Sequence, residues 1–299
     1  MGKIAFVFAG QGDQYPGMGR ELYQAYPAAR QVFQMCDSLR PGTVRQCFEA
    51  SAQELTETKN TQPCLFAMEL AAAEVLRQEG VTAHAMAGFS LGEVAAATAA
   101  GYFDLETGFR LVCRRGRLMQ ASAQKHDTAM AAVVKLTARQ VTDLCAKYGD
   151  LYPVNFNCPG NITVSGSAAQ MPAFSAEVKA LGGRALPLKV KGAFHCPYMQ
   201  EAADAFGQVL AEVEMGSGRA ALYSNVTAEP YGDDPAALLS KQIASPVQWE
   251  KIIRNMRADG IDTFIEIGPG RTLTNMIHKI DPKVTAVTVT EYLKEAAKC

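Results

Sequence analysis

The sequence predicts an α/β fold interrupted by an inserted β-α-β-β-α-β unit, the ferredoxin-like order, and three features carry that prediction. Short apolar runs alternate with segments of helical period along most of the 299 residues. Glycine-rich turns, Gly10-Gln11-Gly12 and Gly268-Pro269-Gly270, follow directly on two of those runs. Between about residues 128 and 190 the order changes to strand, helix, strand, strand, helix, strand.

Residues 3–9 read as a buried strand, followed by a helix over 18–39 that Pro27 must kink or restart. Pro63 in a first turn and Gly80 at the end bracket a long helix with apolar Leu65, Met68, Ala72, Val75 and Leu76. Residues 85–89 form a short strand, Ser90 a turn, and 91–100 a helix of small residues, with another helix over 105–122. In the insert, strands are expected over 129–136, 152–157, 162–165 and 184–190, helices over 138–147 and 168–181, and a hairpin turn at 157–161. The body then resumes with a helix over 197–213, a strand near 220–225, a helix containing Trp249 and a strand over 263–267. These boundaries place the insert at 127–192 and the body at 1–126 and 193–299, with a cleft where they meet.

Composition narrows the function classes. Hydrophobic residues make up 48% of the chain and charged residues 20%, ordinary values for a folded globular protein. Basic and acidic residues, 29 and 30, are interspersed for a net charge of −1, so no nucleic-acid or anionic-lipid footprint is present. The first apolar run is too short for a signal-peptide core and no later run could span a bilayer, so no membrane role and a cytoplasmic location are expected. The eight cysteines include no C-x-x-C pair and read as small core residues, with neither disulfide nor metal. The turn at residues 268–270 lacks both Walker spacing and a GxGxxG fingerprint, so no nucleotide cofactor is assigned.

Gly88-Phe89-Ser90-Leu91-Gly92 is the strongest local signal, because this Gly-x-Ser-x-Gly lies between a strand and a helix, the context of a nucleophile elbow. The amide of Leu91 at the helix start can then donate to an oxyanion, and the glycine turn could bring the amide of Gln11 to the same place. A serine needs a base, and four histidines are available: His84, His126, His195 and His278. His84 precedes the elbow strand, His126 lies in a polar stretch, and His278 faces away from its helix's apolar residues. His195 lies where the chain returns from the insert, at the cleft, and is the candidate base. Arg115 has Leu111, Val112, Leu118 and Met119 as its helical neighbours, so its guanidinium lies on a buried face. Such a fork is either in a structural ion pair or a receptor for a substrate carboxylate.

Taken together, these residues resemble the malonyl-CoA:acyl carrier protein transacylases and the related acyltransferase domains of polyketide synthases. The resemblance covers nearly the whole chain: Phe6-Val7-Phe8-Ala9-Gly10-Gln11-Gly12, residues 88–93, Arg115-Gly116, Asn157-Cys158-Pro159-Gly160, Phe194-His195, Pro246-Val247-Gln248-Trp249 and residues 266–270. It implies an α/β-hydrolase-like body with the ferredoxin-like insert, Ser90 as nucleophile, His195 as base, Arg115 as clamp for the malonyl carboxylate, and the amides of Gln11 and Leu91 as oxyanion hole. It also implies that a main-chain carbonyl, here that of Gln242, orients the histidine. Phe194 is similar to the malonyl-type members and should crowd an α-methyl branch. The family usually has histidine before the nucleophile, where this chain has Phe89. The implied reaction passes malonyl from malonyl-CoA, a coenzyme A thioester substrate rather than a bound cofactor, to acyl carrier protein in fatty acid synthesis, by a monomer. Two alternatives stand beside it. One is a free-standing acyltransferase of a polyketide pathway; the other is a serine esterase or thioesterase using Ser90, His278 and Asp262 or Glu266.

Overall fold

The computed structural model describes residues 2–190 and 192–297. Among the described residues nine strands form two separate sheets. The larger is parallel and combines β1 (Lys3–Phe8), β2 (Ala85–Gly88), β7 (Ala221–Tyr223), β8 (Ile261–Ile267) and β9 (Thr285–Thr288) in the order β7-β2-β1-β8-β9. The smaller is antiparallel and combines β3 (Thr128–Val134), β4 (Leu151–Cys158), β5 (Asn161–Ser167) and β6 (Arg184–Pro187) in the order β4-β5-β3-β6.

Alternation along the parallel strands divides the core. Phe6, Phe8, Met86, Ile265 and Ile267 face the helices Thr58–Gln78 and Leu91–Ala100, whereas Ala5, Val7, Ala85, Ala87 and Phe264 face Trp249–Ala258 and Thr272–Ile280. Register sets Phe8 beside both Gly88 and Ile267, so the loops after β1, β2 and β8 emerge together at the carboxyl edge. The antiparallel sheet buries Val133, Ile162 and Val164 against Val141, Leu144, Phe174 and Val178 of its two helices. Two backbone bonds link it to the segment before Trp249: Phe156 N donates to Val247 O (2.9 Å) and Val247 N to Val154 O (2.8 Å).

Several expectations need adjusting. Pro27 does restart the helix, occupying the first position of Pro27–Leu39 after the break at Tyr26. Pro63, however, lies inside its helix, which begins at Thr58 because residues 58 and 60–63 are buried and their packing carries the helix past the lost amide. The fourth insert strand stops at Pro187, which has no N–H for the ladder, instead of continuing to residue 190. Strand β9 and the helices Thr43–Glu49, Ala52–Thr56, Pro235–Gln242 and Val289–Ala296 were absent from the sequence reading. Cys36, Cys47, Cys64, Cys113, Cys145, Cys158 and Cys196 are free and buried, and Cys299 lies outside the described residues. Among the described residues no helix is long and apolar enough to cross a membrane.

Candidate active site

Ser90 sits between β2 and the helix Leu91–Ala100 with φ 55° and ψ −102°, a conformation that costs a non-glycine residue energy and must be held by its surroundings. The flanking glycines are needed for space. A Cβ on Gly88 would lie 1.8 Å from the carbonyl carbon of Gly92, and one on Gly92 would lie 2.3 Å from Phe8 O. Asn225, just past β7 and buried, does the holding: its Oδ1 accepts the Ser90 amide at 2.8 Å and its Nδ2 donates to Gly88 O at 2.7 Å.

His195 brings its Nε2 to 2.7 Å from Ser90 Oγ, while its Nδ1 lies 3.0 Å from the main-chain carbonyl of Gln242. A carbonyl can only accept, so Nδ1 carries the proton and Nε2 offers its lone pair to the hydroxyl. Burial and the positive charge of Arg115 pull the imidazole down to about 4, which keeps it neutral at physiological pH. The pair can therefore take the proton of Ser90 without a carboxylate behind the ring.

Arg115 is fully buried, as its helical neighbours required. Neither reading of it from sequence foresaw its partners: Nη2 donates to Ser90 Oγ at 3.1 Å and to Gln242 Oε1 at 2.7 Å. Its Nε and Nη1 are buried without a partner among the described residues. Burial lowers it to about 10, with Glu93 pulling upward, so it remains a cation at neutral pH. A buried guanidinium with two donor nitrogens idle can take an anionic group.

Glu93, Asn225, Tyr231 and the side chain of Gln242 are additional residues that sequence reasoning missed. Glu93 is fully buried, and it is the one charged residue in the otherwise small and apolar helix Leu91–Ala100. That was a readable signal, of the kind that singled out Arg115.

Gln11, Leu91, Phe89, Phe194, Met119 and Met130 wall a small pocket around Ser90 and His195. Among the described residues the amides of Gln11 and Leu91 have no partner. Phe89 meets Trp249 edge-on with centroids 5.5 Å apart, an apolar contact where a polar side chain had been the family expectation. A wider cleft of about 480 Å³, lined by Thr58, Gln120, His126, Thr128 and Gly192, meets this pocket at Val190, and its size is that of a ligand site. The remaining histidines do not line the pocket around Ser90. His84 accepts the Ile4 amide at the opposite edge of the sheet, His126 packs on Tyr198, and His278 is exposed. Glu266 accepts the amides of Leu273 and Thr274 and Asp262 is exposed, so the hydrolase-order trio is not assembled around Ser90.

Comparison with known proteins places the whole chain. A malonyl CoA-acyl carrier protein transacylase of Bacillus subtilis is 38% identical over 97% of this chain and 94% of its own length, and that of Escherichia coli K12 is 35% identical over 97% of both. The crystal structure of the malonyl CoA-acyl carrier protein transacylase of Clostridium perfringens superposes with a TM-score of 0.94 at 33% identity, covering 99% of this chain and 97% of that one. A malonyl-transacylase in complex with its type II polyketide synthase acyl carrier protein gives 0.93 at 32% identity, covering 96% and 95%. Residues 5–293 match the acyl transferase domain family, and the chain belongs to it.

Proposed function

We infer that the chain moves a malonyl group from malonyl-CoA to the phosphopantetheine thiol of acyl carrier protein, in fatty acid synthesis, through an ester on Ser90. The observation that carries this reading is the buried Arg115, which bonds Ser90 Oγ and leaves two donors idle. An acyl group ending in a carboxylate supplies the acceptors that such a fork lacks.

In this mechanism His195 Nε2 takes the hydroxyl proton while Ser90 Oγ attacks the thioester carbonyl. The amides of Gln11 and Leu91 receive the oxyanion, where fixed donors act most strongly. Collapse breaks the carbon–sulfur bond, and the imidazolium returns its proton to the departing coenzyme A thiolate. The carrier's thiol then enters, gives its proton to His195, and attacks the ester, and Ser90 leaves with that proton. The Gln242 carbonyl holds Nδ1–H throughout, so the ring keeps one orientation in both halves. Phe194 closes the pocket against a branched acyl group, and the cleft meeting at Val190 takes the thioester arm.

We assign residues 127–192 as a ferredoxin-like insert in an α/β-hydrolase-like body at 1–126 and 193–299. The β4-β5-β3-β6 order, with a helix after β3 and another after β5, supports the first description. The parallel sheet with its nucleophile at a strand-to-helix turn supports the second.

Mass spectrometry after mixing with malonyl-CoA tests the reading. A malonyl adduct on Ser90 that discharges to carrier protein is the expected result; no adduct, or one lost to water without transfer, overturns it. Arg115→Ala should cost malonyl transfer on the order of 2–5 kcal/mol more than acetyl transfer, the cost of losing one partner of a buried charge pair.

A further inference from the structure

Glu93 is a second charge buried at this site, and the reaction above makes no use of it. It sits in the first turn of the helix Leu91–Ala100 and is fully buried. Its Oε1 accepts the Asn225 amide (3.1 Å) and the Tyr231 hydroxyl (2.6 Å), and its Oε2 accepts Gln242 Nε2 (2.7 Å). The other end of the same amide, Gln242 Oε1, accepts from Arg115 Nη2 at 2.7 Å. The amide thus stands between the two charges, its oxygen toward the cation and its nitrogen toward the anion.

That insertion has a physical consequence. A carboxylate and a guanidinium in direct contact form a bidentate pair that fills the fork. A guanidinium buried with no counter-charge holds its proton less firmly. One amide between them avoids both outcomes, because Arg115 feels an anion close by while its Nε and Nη1 stay open.

Resting on the malonyl-transfer reading of this site, we propose that Glu93, acting through the side chain of Gln242, is the counter-charge of Arg115 and sets how strongly Arg115 draws the acyl carboxylate. Glu93 and the Gln242 side chain are positioning residues, because they reach the acyl group only through Arg115.

The relay also makes malonyl affinity depend on pH. Burial pushes Glu93 up to about 7, against the lowering effect of Tyr231, Gln242, the Asn225 amide and Arg115. The other titratable groups facing this cluster do not change charge near neutrality. Tyr231 is held well above its usual range, Tyr102 beside it is also raised, Arg115 stays a cation and His195 stays neutral. Glu69, on the neighbouring helix Thr58–Gln78, is pushed well above the usual carboxylate range by burial and by Asp13 and Glu266. Below about 7 Glu93 gains a proton and the field of Arg115 is unopposed; above it, the Glu93 anion competes with the acyl carboxylate.

Pre-steady-state acylation of Ser90 separates donor affinity from chemistry and provides the test. For the wild-type protein the apparent Kd of malonyl-CoA should rise severalfold between about pH 6 and about pH 8.5, while that of acetyl-CoA does not follow it. In Glu93→Gln the malonyl Kd should stay low and flat across that range. A variant that keeps the wild-type pH dependence, or whose malonyl and acetyl affinities change in parallel, overturns the relay. Gln242→Glu provides a second route if Glu93→Gln does not fold. A carboxylate at that position pairs directly with Arg115, so malonyl affinity should fall by roughly tenfold or more relative to acetyl; an unchanged malonyl preference again overturns the proposal. The parent reading fails separately, by the absence of any Ser90 ester in the wild-type protein.

Discussion

His195 makes the chemistry of the site testable one atom at a time. Its ring is poised by two contacts of opposite character, a carbonyl that demands a proton on Nδ1 and a hydroxyl that meets the bare Nε2. Its folded pKa of about 4 lies below the ordinary 6.5, so an unfolded chain binds this proton first as pH falls. The stability it contributes is therefore fully present above about 6.5 and is lost progressively as pH falls toward about 4. Nitrogen-15 NMR of the imidazole should show the Nδ1–H tautomer persisting at about pH 6. A ring already doubly protonated at that pH would rule out this account. At this scale the sequence was informative where one side chain contradicted its surroundings. Arg115 on an apolar helical face was such a case, and Glu93 in a helix of alanines was another of equal weight. The donors left idle on Arg115 follow from where Gln242 lies and could not be read from either helix.

The strand-to-helix turn is the element on which the site depends. It was legible because everything that defines it is local: an apolar strand, a serine between glycines and a helix of small residues within sixteen positions of one another. Its clamp was not legible, because Asn225 comes from 135 residues away and no sequence pattern marks it. The start of the helix Thr58–Gln78 was misjudged for a similar reason, since burial of its first turns outweighs the local preference of Pro63. Gly92→Ala should abolish Ser90 acylation and lower stability by several kcal/mol, because the added methyl meets the carbonyls of Phe8, at the end of the central strand, and of Ala9 just after it. Gly149→Ala, with nothing near its added methyl, should leave both unchanged. Denaturant midpoints and acylation rates for the two variants check this, and a tolerated Gly92→Ala would show that the turn can relax.

Over the whole molecule the two sheets were legible in outline, since the insert's order of elements gave the antiparallel unit and the alternating segments gave the parallel one. One backbone link between the insert and the body was hidden: the bridge of Asn155 against Val247, in a stretch with no strand pattern of its own. Asn155 also borders the pocket around Ser90, so this junction braces one wall of the site. Val247→Pro removes the donor to Val154 and should cost about 1–3 kcal/mol, with faster hydrogen exchange at the Phe156 amide. Exchange at Phe156 that matches the wild type would show that the junction is held by side-chain packing alone.

The bond from the Gln242 side chain to the carbonyl of Ser90 spans 152 residues, and that of His195 to the serine hydroxyl spans 105. On a translating ribosome, which releases the chain from its amino terminus onward, Ser90 emerges long before His195, and His195 before Gln242. Until Gln242 has been made, Ser90 lacks the contacts with His195 and Gln242 that surround it in the folded protein. The site around Ser90 is assembled only when the segment carrying His195 and Gln242 has folded back onto the elbow.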